Sequence, residues 1–266
     1  MKKQTKGIVF YLLLVVALLI YPMYVVVFNG GINGPSGSMM VLIIMWIPAV
    51  AAVVTKLILE RSLRGLGFIP HKNQYLLVSY IIPLIGCLIV YGICWGLQIG
   101  ILNVELLQYM SIPTLLGVPG VLLSLLTAVG EEIGWRGYLV PKLLETNSFN
   151  KTVLISGIIW NLYHYPLIFF GGYNSGVNIG FAIVMFTISI FCVCTITAYL
   201  RFKTNSFWAP ALFHASHNYF VQSVFDMLTT DVGATKYFTT EFGLGLMMFY
   251  LVVALIIINK MKKSKA

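Results

Sequence analysis

The chain has 266 residues, of which 59% are hydrophobic and only 9% charged, with a mean hydropathy of +0.91. A soluble domain carries about 25% charged residues, so this composition excludes an ordinary water-soluble enzyme or binding module and indicates a membrane protein. The net charge of +9 would suit a nucleic-acid binder, but the basic residues lie at the ends of apolar runs rather than in one patch, which excludes that reading too.

In chain order, apolar runs occupy about residues 7–28, 40–59, 75–99, 119–144, 152–170, 177–200, 206–225 and 242–259. Each is long enough for a helix to cross a hydrocarbon core about 30 Å thick. The expected fold is therefore all-α: a single integral membrane domain over 1–266, built as a bundle of about eight transmembrane helices around an intramembrane polar site. With eight spans, 16 of the 17 Lys and Arg residues fall on one side and only Lys236 on the other. This asymmetry predicts a multi-pass protein of a cell membrane with both termini cytoplasmic. The first run follows Lys2 and Lys3 but is too long for a signal-peptide core and has no A-x-A site after it, so a retained helix is expected. Cys87, Cys94, Cys192 and Cys194 all fall within spans and contain no C-x-x-C pair, which points to packing rather than a thiolate metal site. Gly96-Leu-Gln-Ile-Gly100 has the G-x-x-x-G spacing of a helix contact. Gly34-Pro-Ser-Gly37 and the stretch from Gly171 to Gly176 read as turns.

The fourth run holds the strongest signal. Glu131 and Glu132 stand side by side in a chain with eight acidic residues. A carboxylate at membrane depth costs several kcal/mol and marks a functional site by default. The apolar Tyr138-Leu-Val-Pro-Lys-Leu-Leu144 continues after the charges, which favours one long helix that buries them. At 1.5 Å per residue, Glu131 then lies about 20 Å from the cytoplasmic end of its helix. His164 in the fifth run and His214 and Asn218 in the seventh lie about 15–20 Å from theirs, so four polar side chains share a depth.

Local spacing assigns partners. Glu132 and Arg136 are i, i+4 with the acid first, the favourable order for an ion pair, which leaves Glu131 free. Trp160 and His164 share a helix face, as do His214 and Asn218. Gly130, Gly134 and Gly137 keep the glutamate helix slim enough for close approach. Pro166 and Pro210, near the two histidines, each remove a backbone donor and can free a carbonyl. His217, i+3 from His214, is expected to bond a neighbouring helix at the border of the site.

Glu131-Glu132-x-x-x-Arg136, Trp160-x-x-x-His164 and His214-x-x-x-Asn218 together resemble the CaaX prenyl protease and bacteriocin-processing (Abi) family of intramembrane proteases, whose pattern is EExxxR, FxxxH and HxxxN on successive membrane helices. The resemblance covers residues 122–219, and the expected protease core is about 119–228. Trp160 departs from the family's usual Phe. The resemblance implies an eight-helix α-bundle and a peptidase. Glu131 would activate water, His164 would hold that water, and His214 and Asn218 would stabilise the oxyanion. Glu132, Arg136 and Trp160 would give structural support. The implied partners are a peptide precursor or membrane-protein substrate and the lipid bilayer, with no nucleic acid and no organic cofactor. The short loops look bacterial, which favours an unprenylated substrate.

Two questions stay open in the sequence. Glu131, His164, His214 and Asn218 could also ligate a divalent metal such as zinc, although no H-E-x-x-H is present. Other functional classes are a non-catalytic scaffold or bacteriocin self-immunity protein, and a proton-coupled transporter, for which no inverted repeat is visible. Aspartyl chemistry is disfavoured because Asp226 and Asp231 lie at the end of the seventh run. Oligomeric state is not encoded in any motif.

Overall fold

The computed structural model describes residues 3–70 and 73–263. Lys2, Lys72 and Lys265 of the charge pattern lie outside the described residues. The elements run α1 (Lys3–Phe28), α2 (Gly37–Glu60), α3 (Asn73–Gly96), β1 (Gly100–Leu102), α4 (Val104–Tyr109), α5 (Ile112–Leu115), α6 (Val118–Glu132), a π-helix π1 (Ile133–Leu139), α7 (Val140–Leu144), α8 (Phe149–Phe170), α9 (Ile179–Thr204), α10 (Trp208–Asn218), a second π-helix π2 (Tyr219–Phe225), β2 (Thr229–Asp231), α11 (Thr235–Phe238) and α12 (Leu244–Lys263).

This is an all-α multi-span membrane protein. Seven helical stretches among the described residues are long and apolar enough to cross a bilayer. The eighth expected span is the rod of α10 and π2, residues 208–225. It does not meet that apolarity test, because it carries His214, His217, Asn218 and Gln222. Packing rather than hydropathy holds it in place: α10 lies against α3, α6 and α9. Pro210 falls in its first turn, where backbone donors lack helical partners anyway, so it frees no carbonyl there.

Two further expectations need correction. Helix α3 ends at Gly96 and Gly100 starts a strand, so G-x-x-x-G is not a helix face; Gln98, with φ at 56°, turns the chain between them. Two loops also pair, β1 antiparallel with β2, with Gly100 opposite Asp231. The fourth run is not a uniform α-helix either. It widens into π1 directly after Glu132.

The π segment has a local cause. The Val140 N–H reaches back five residues to the Trp135 carbonyl. The Arg136 carbonyl would next take the N–H of residue 141, but Pro141 has none. Arg201 of α9 supplies that donor instead, with Nε at 2.8 Å from the Arg136 oxygen, and its Nη2 reaches the Gly65 carbonyl at 2.9 Å. At the basic end, Lys142 joins α7 to α2 through Glu60 at 3.0 Å and also meets Glu145 at 3.2 Å.

The glycines of the glutamate helix set its distance from α2. A Cβ on Gly130 would lie 2.6 Å from the Met45 carbonyl oxygen, and one on Gly134 would lie 2.6 Å from that of Pro48. Backbone cannot yield as a flexible side chain can. Gly134→Ala is therefore expected to cost about 1–3 kcal/mol, read as a lowered Tm in detergent, whereas Gly92→Ala, with open space around it, should be neutral. Equal melting of the two variants would refute this contact.

Candidate active site

One cavity of about 400 Å³ brings together all four of Glu131, His164, His214 and Asn218, with Trp160 on its wall. Three elements supply them, α6, α8 and α10, and α12 closes the side through Leu246 and Tyr250. The agreement in depth read from helix lengths is thus a real convergence. Glu132 and Arg136 lie behind that wall, 0% and 1% exposed, while His214 is 11% exposed toward the cavity.

Glu131 is held from one side only. The indole Nε1 of Trp135 donates to its Oε2 at 3.1 Å, and the indole Nε1 of Trp160 donates to the same oxygen at 2.8 Å. Charge-assisted bonds of this kind are stronger than neutral ones. Both donors converge on Oε2, so Oε1 is left for the cavity. Trp135 is itself wedged edge-on between Tyr11 of α1 and Tyr163 of α8, with ring centroids 6.1 and 5.3 Å away. Tyr163 is fixed by its hydroxyl, which donates to the Ile44 carbonyl at 2.5 Å. The first helix therefore buttresses the carboxylate without reaching the site.

The supporting pair is a network. Arg136 Nη1 donates to Glu132 Oε1 at 2.9 Å, and its guanidinium lies 4.0 Å above the Trp160 ring. Its Nη2 points at Cys194 Sγ, 3.6 Å away. His214 Nδ1 meets the same Glu132 oxygen at 3.1 Å. A carboxylate only accepts, so His214 carries a proton on Nδ1 and turns Nε2 to the cavity. His164 is oriented the same way, with Nδ1 at 2.8 Å from the Trp160 carbonyl oxygen. Both imidazoles thus have fixed tautomers set by partners outside the cavity.

Trp160 has three jobs at once. Its N–H holds Glu131, its face covers Arg136, and its carbonyl orients His164. The family's usual Phe would keep the ring face and the carbonyl but lose the N–H. His217 bonds the Tyr250 hydroxyl at 2.8 Å and also lines the cavity, so it is both a helix tie and a wall residue. Sequence reasoning missed Trp135, whose signal was its i+4 spacing from Glu131. It also missed Tyr173, Gln222 and Glu241, which line the cavity from loops and from π2. Tyr173 in particular lies in the stretch read as a plain turn.

A metal fits poorly. Among the described residues no group of three or more His, Cys, Asp or Glu side chains could hold an ion. With both His Nδ1 atoms and Glu131 Oε2 taken by protein partners, only the two Nε2 atoms and Oε1 are left to the cavity, and they do not gather into such a group.

Residues 113–220 match the family model described as type II CAAX prenyl endopeptidase, Rce1-like. A stretch of 52 residues is 48% identical to a protein of Methanococcus maripaludis named CAAX prenyl protease 2. That alignment covers 20% of this chain and 19% of the relative, so the chain aligns with about a fifth of that relative's length.

Removing Arg136 alone leaves Glu132 and His214 around an uncompensated buried charge, at a cost of about 3–5 kcal/mol. Arg136→Ala is expected to yield little folded protein, whereas a double Glu132→Gln, Arg136→Met variant recovers most of the yield. An Arg136→Ala protein as thermostable as wild type would contradict this pairing.

Proposed function

Given an Rce1-like CAAX prenyl endopeptidase domain over residues 113–220, we propose that this protein is an intramembrane endopeptidase in which Glu131 activates the attacking water. The carrying observation is the one-sided grip on Glu131: two indole N–H groups on Oε2, with the other oxygen left toward the cavity that His164, His214 and Asn218 line.

The chemistry follows from that arrangement. A water between Glu131 Oε1 and His164 Nε2 gives a proton to the carboxylate as its oxygen attacks the scissile carbonyl. The carbonyl oxygen becomes an oxyanion, which accepts hydrogen bonds from the Asn218 amide and from His214 Nε2 when that imidazole is doubly protonated. The Glu132 carboxylate supplies the counter-charge that such an imidazolium needs. One donor placed on a developing oxyanion contributes roughly 3 kcal/mol to the barrier. The C–N bond then breaks, and Glu131 passes its proton to the leaving amine. The apolar wall around these groups keeps bulk water out and strengthens each of these interactions.

The substrate class that fits is a peptide precursor or membrane-associated protein with an unprenylated segment. The cell membrane and a cytoplasmic placement of both termini remain part of this reading, resting on the basic residues at one end of the bundle.

Glu131→Gln, compared with wild type at equal membrane abundance on peptides that accumulate when the gene is deleted, is expected to abolish cleavage. Retained cleavage removes Glu131 as the base. A non-catalytic immunity protein or scaffold would instead protect or assemble equally well with either residue. Trp160→Phe removes one charge-assisted bond, worth about 1.5–3 kcal/mol. It should lower kcat about 10- to 100-fold with KM little changed, and an unchanged kcat would show that Trp135 suffices to position the base.

A further inference from the structure

The catalytic cavity does not end at the histidines. It extends to Ile32, Tyr173, Gln222 and Glu241, and these same four residues line a second cavity of about 470 Å³. The second cavity sits among the loops at the end of the bundle away from the basic termini. Its walls are polar, with Asn33, Ser175, Asp226, Thr229, Asp231 and Lys236 among them. The junction between the two is a hydrogen-bonded bridge. The Tyr173 hydroxyl donates to Glu241 Oε2, and Gln222 Nε2 donates to Glu241 Oε1 at 3.2 Å.

Three features mark this junction as built for an occupant. First, Glu241 is met only by neutral donors and has no Lys or Arg within ion-pairing distance among the described residues, whereas Asp231 in the outer cavity has Lys236 at 3.9 Å. A carboxylate at a cavity neck with no cation beside it has charge to spare. Second, His214, Asn218 and Gln222 follow one another at four-residue steps along one rod and all line the inner cavity, a polar row leading from the site to the neck. Third, Ser189 on the inner wall is only 9% exposed, yet its hydroxyl has no hydrogen-bond partner among the described residues. A buried polar atom without a partner costs free energy unless something else meets it.

We propose that the Tyr173–Glu241–Gln222 bridge is a cation subsite of the substrate path, through which an extended peptide passes from the polar cavity into the catalytic one with a lysine or arginine side chain set against Glu241. This rests on the endopeptidase reading of the inner cavity. Glu241 lies outside residues 113–220, which match the family model.

Titration supports the assignment. Burial pushes the Glu241 carboxyl up to about 7, against the lowering effect of the Tyr173 hydrogen bond and with Asp226 adding to the rise. Near neutral pH the group is divided between two forms, and a cation beside it would draw it to the charged one. The facing groups are Tyr173 and Asp226 from their loops, His214 from α10, and Asp231 and Lys236 in the outer cavity. Cation selection should therefore be stronger at pH 8 than at pH 6.

The test separates binding from hydrolysis. Glu131→Gln protein in lipid nanodiscs is incubated with a fully randomised decapeptide pool, and retained peptides are sequenced by mass spectrometry. Lys and Arg are expected to be enriched about three- to tenfold at one position relative to input, more at pH 8 than at pH 6. Adding Glu241→Gln should abolish that enrichment while total peptide retention stays within about twofold. Absence of enrichment, equal enrichment with and without Glu241, or no retained peptide overturns the proposal. If the retained peptides are enriched but wild-type protein does not cleave them, the endopeptidase reading fails and the subsite stands.

Discussion

The buried pair of Glu132 and Arg136 is the constraint on which the site depends. Two charges at 0% and 1% exposure are tolerable in an apolar bundle only when each is met by a partner. Here the partners come from three helices. Glu132 takes Arg136 on its own helix and His214 from α10, while Arg136 also takes the Trp160 face from α8 and the Cys194 sulfur from α9. The pair thus pins four helices around one point. Because the two charges neutralise each other, even though Glu132 Oε2 and Arg136 Nε have no hydrogen-bond partner among the described residues, the adjacent Glu131 is not needed for neutralisation and can turn a free oxygen to the cavity.

That division of labour between neighbours needs more than helical spacing. Consecutive residues on an α-helix point about 100° apart, which sends Glu131 and Glu132 in different directions. The widening into π1 begins immediately after them, and π2 begins immediately after Asn218. Such π segments gather at functional sites because they shift the face that later side chains present. In π1 the freed Arg136 carbonyl is answered by Arg201, so the distortion is stabilised from α9 rather than left as strain. The same contact ties the backbone of Arg136 while its side chain serves Glu132.

Much of this was legible in the sequence because membrane depth makes polar residues conspicuous. Glu131, His164, His214 and Asn218 stood out against apolar runs, and matching their distances from helix ends was enough to group them. The i, i+4 order of Glu132 and Arg136 gave the pair. What was not legible had no such contrast. Trp135 reads as one more aromatic, and its i, i+4 spacing from Glu131 is the one local hint that its N–H is spent on a carboxylate. Tyr173 stands in a Gly, Asn and Ser turn, where a buried role leaves no periodic trace. Glu241 precedes the last helix and looks like a solvated loop acid. The rod at 208–225 shows the reverse problem, since the polar residues that it brings to the cavity also weaken its signature as a span. The pairing of β1 with β2 joins loops more than a hundred residues apart, beyond the reach of any local pattern.

Size and polarity together limit what the site can take. An inner cavity of about 400 Å³ is in the range of small-molecule pockets, too small for any folded domain. On the endopeptidase reading, a polypeptide must therefore enter as an extended strand, with its backbone donors and acceptors stripped of water. Stripping costs several kcal/mol per unpaired group in an apolar setting. The outer cavity softens that cost, because its threonines, serine and carboxylates can partner a backbone before it reaches the apolar wall. Gln222 and Asn218 continue the supply of polar partners inward. A graded path of this kind lets a segment exchange water for protein in steps, so that only the scissile peptide group arrives fully desolvated, where Glu131 and the two histidines can act on it.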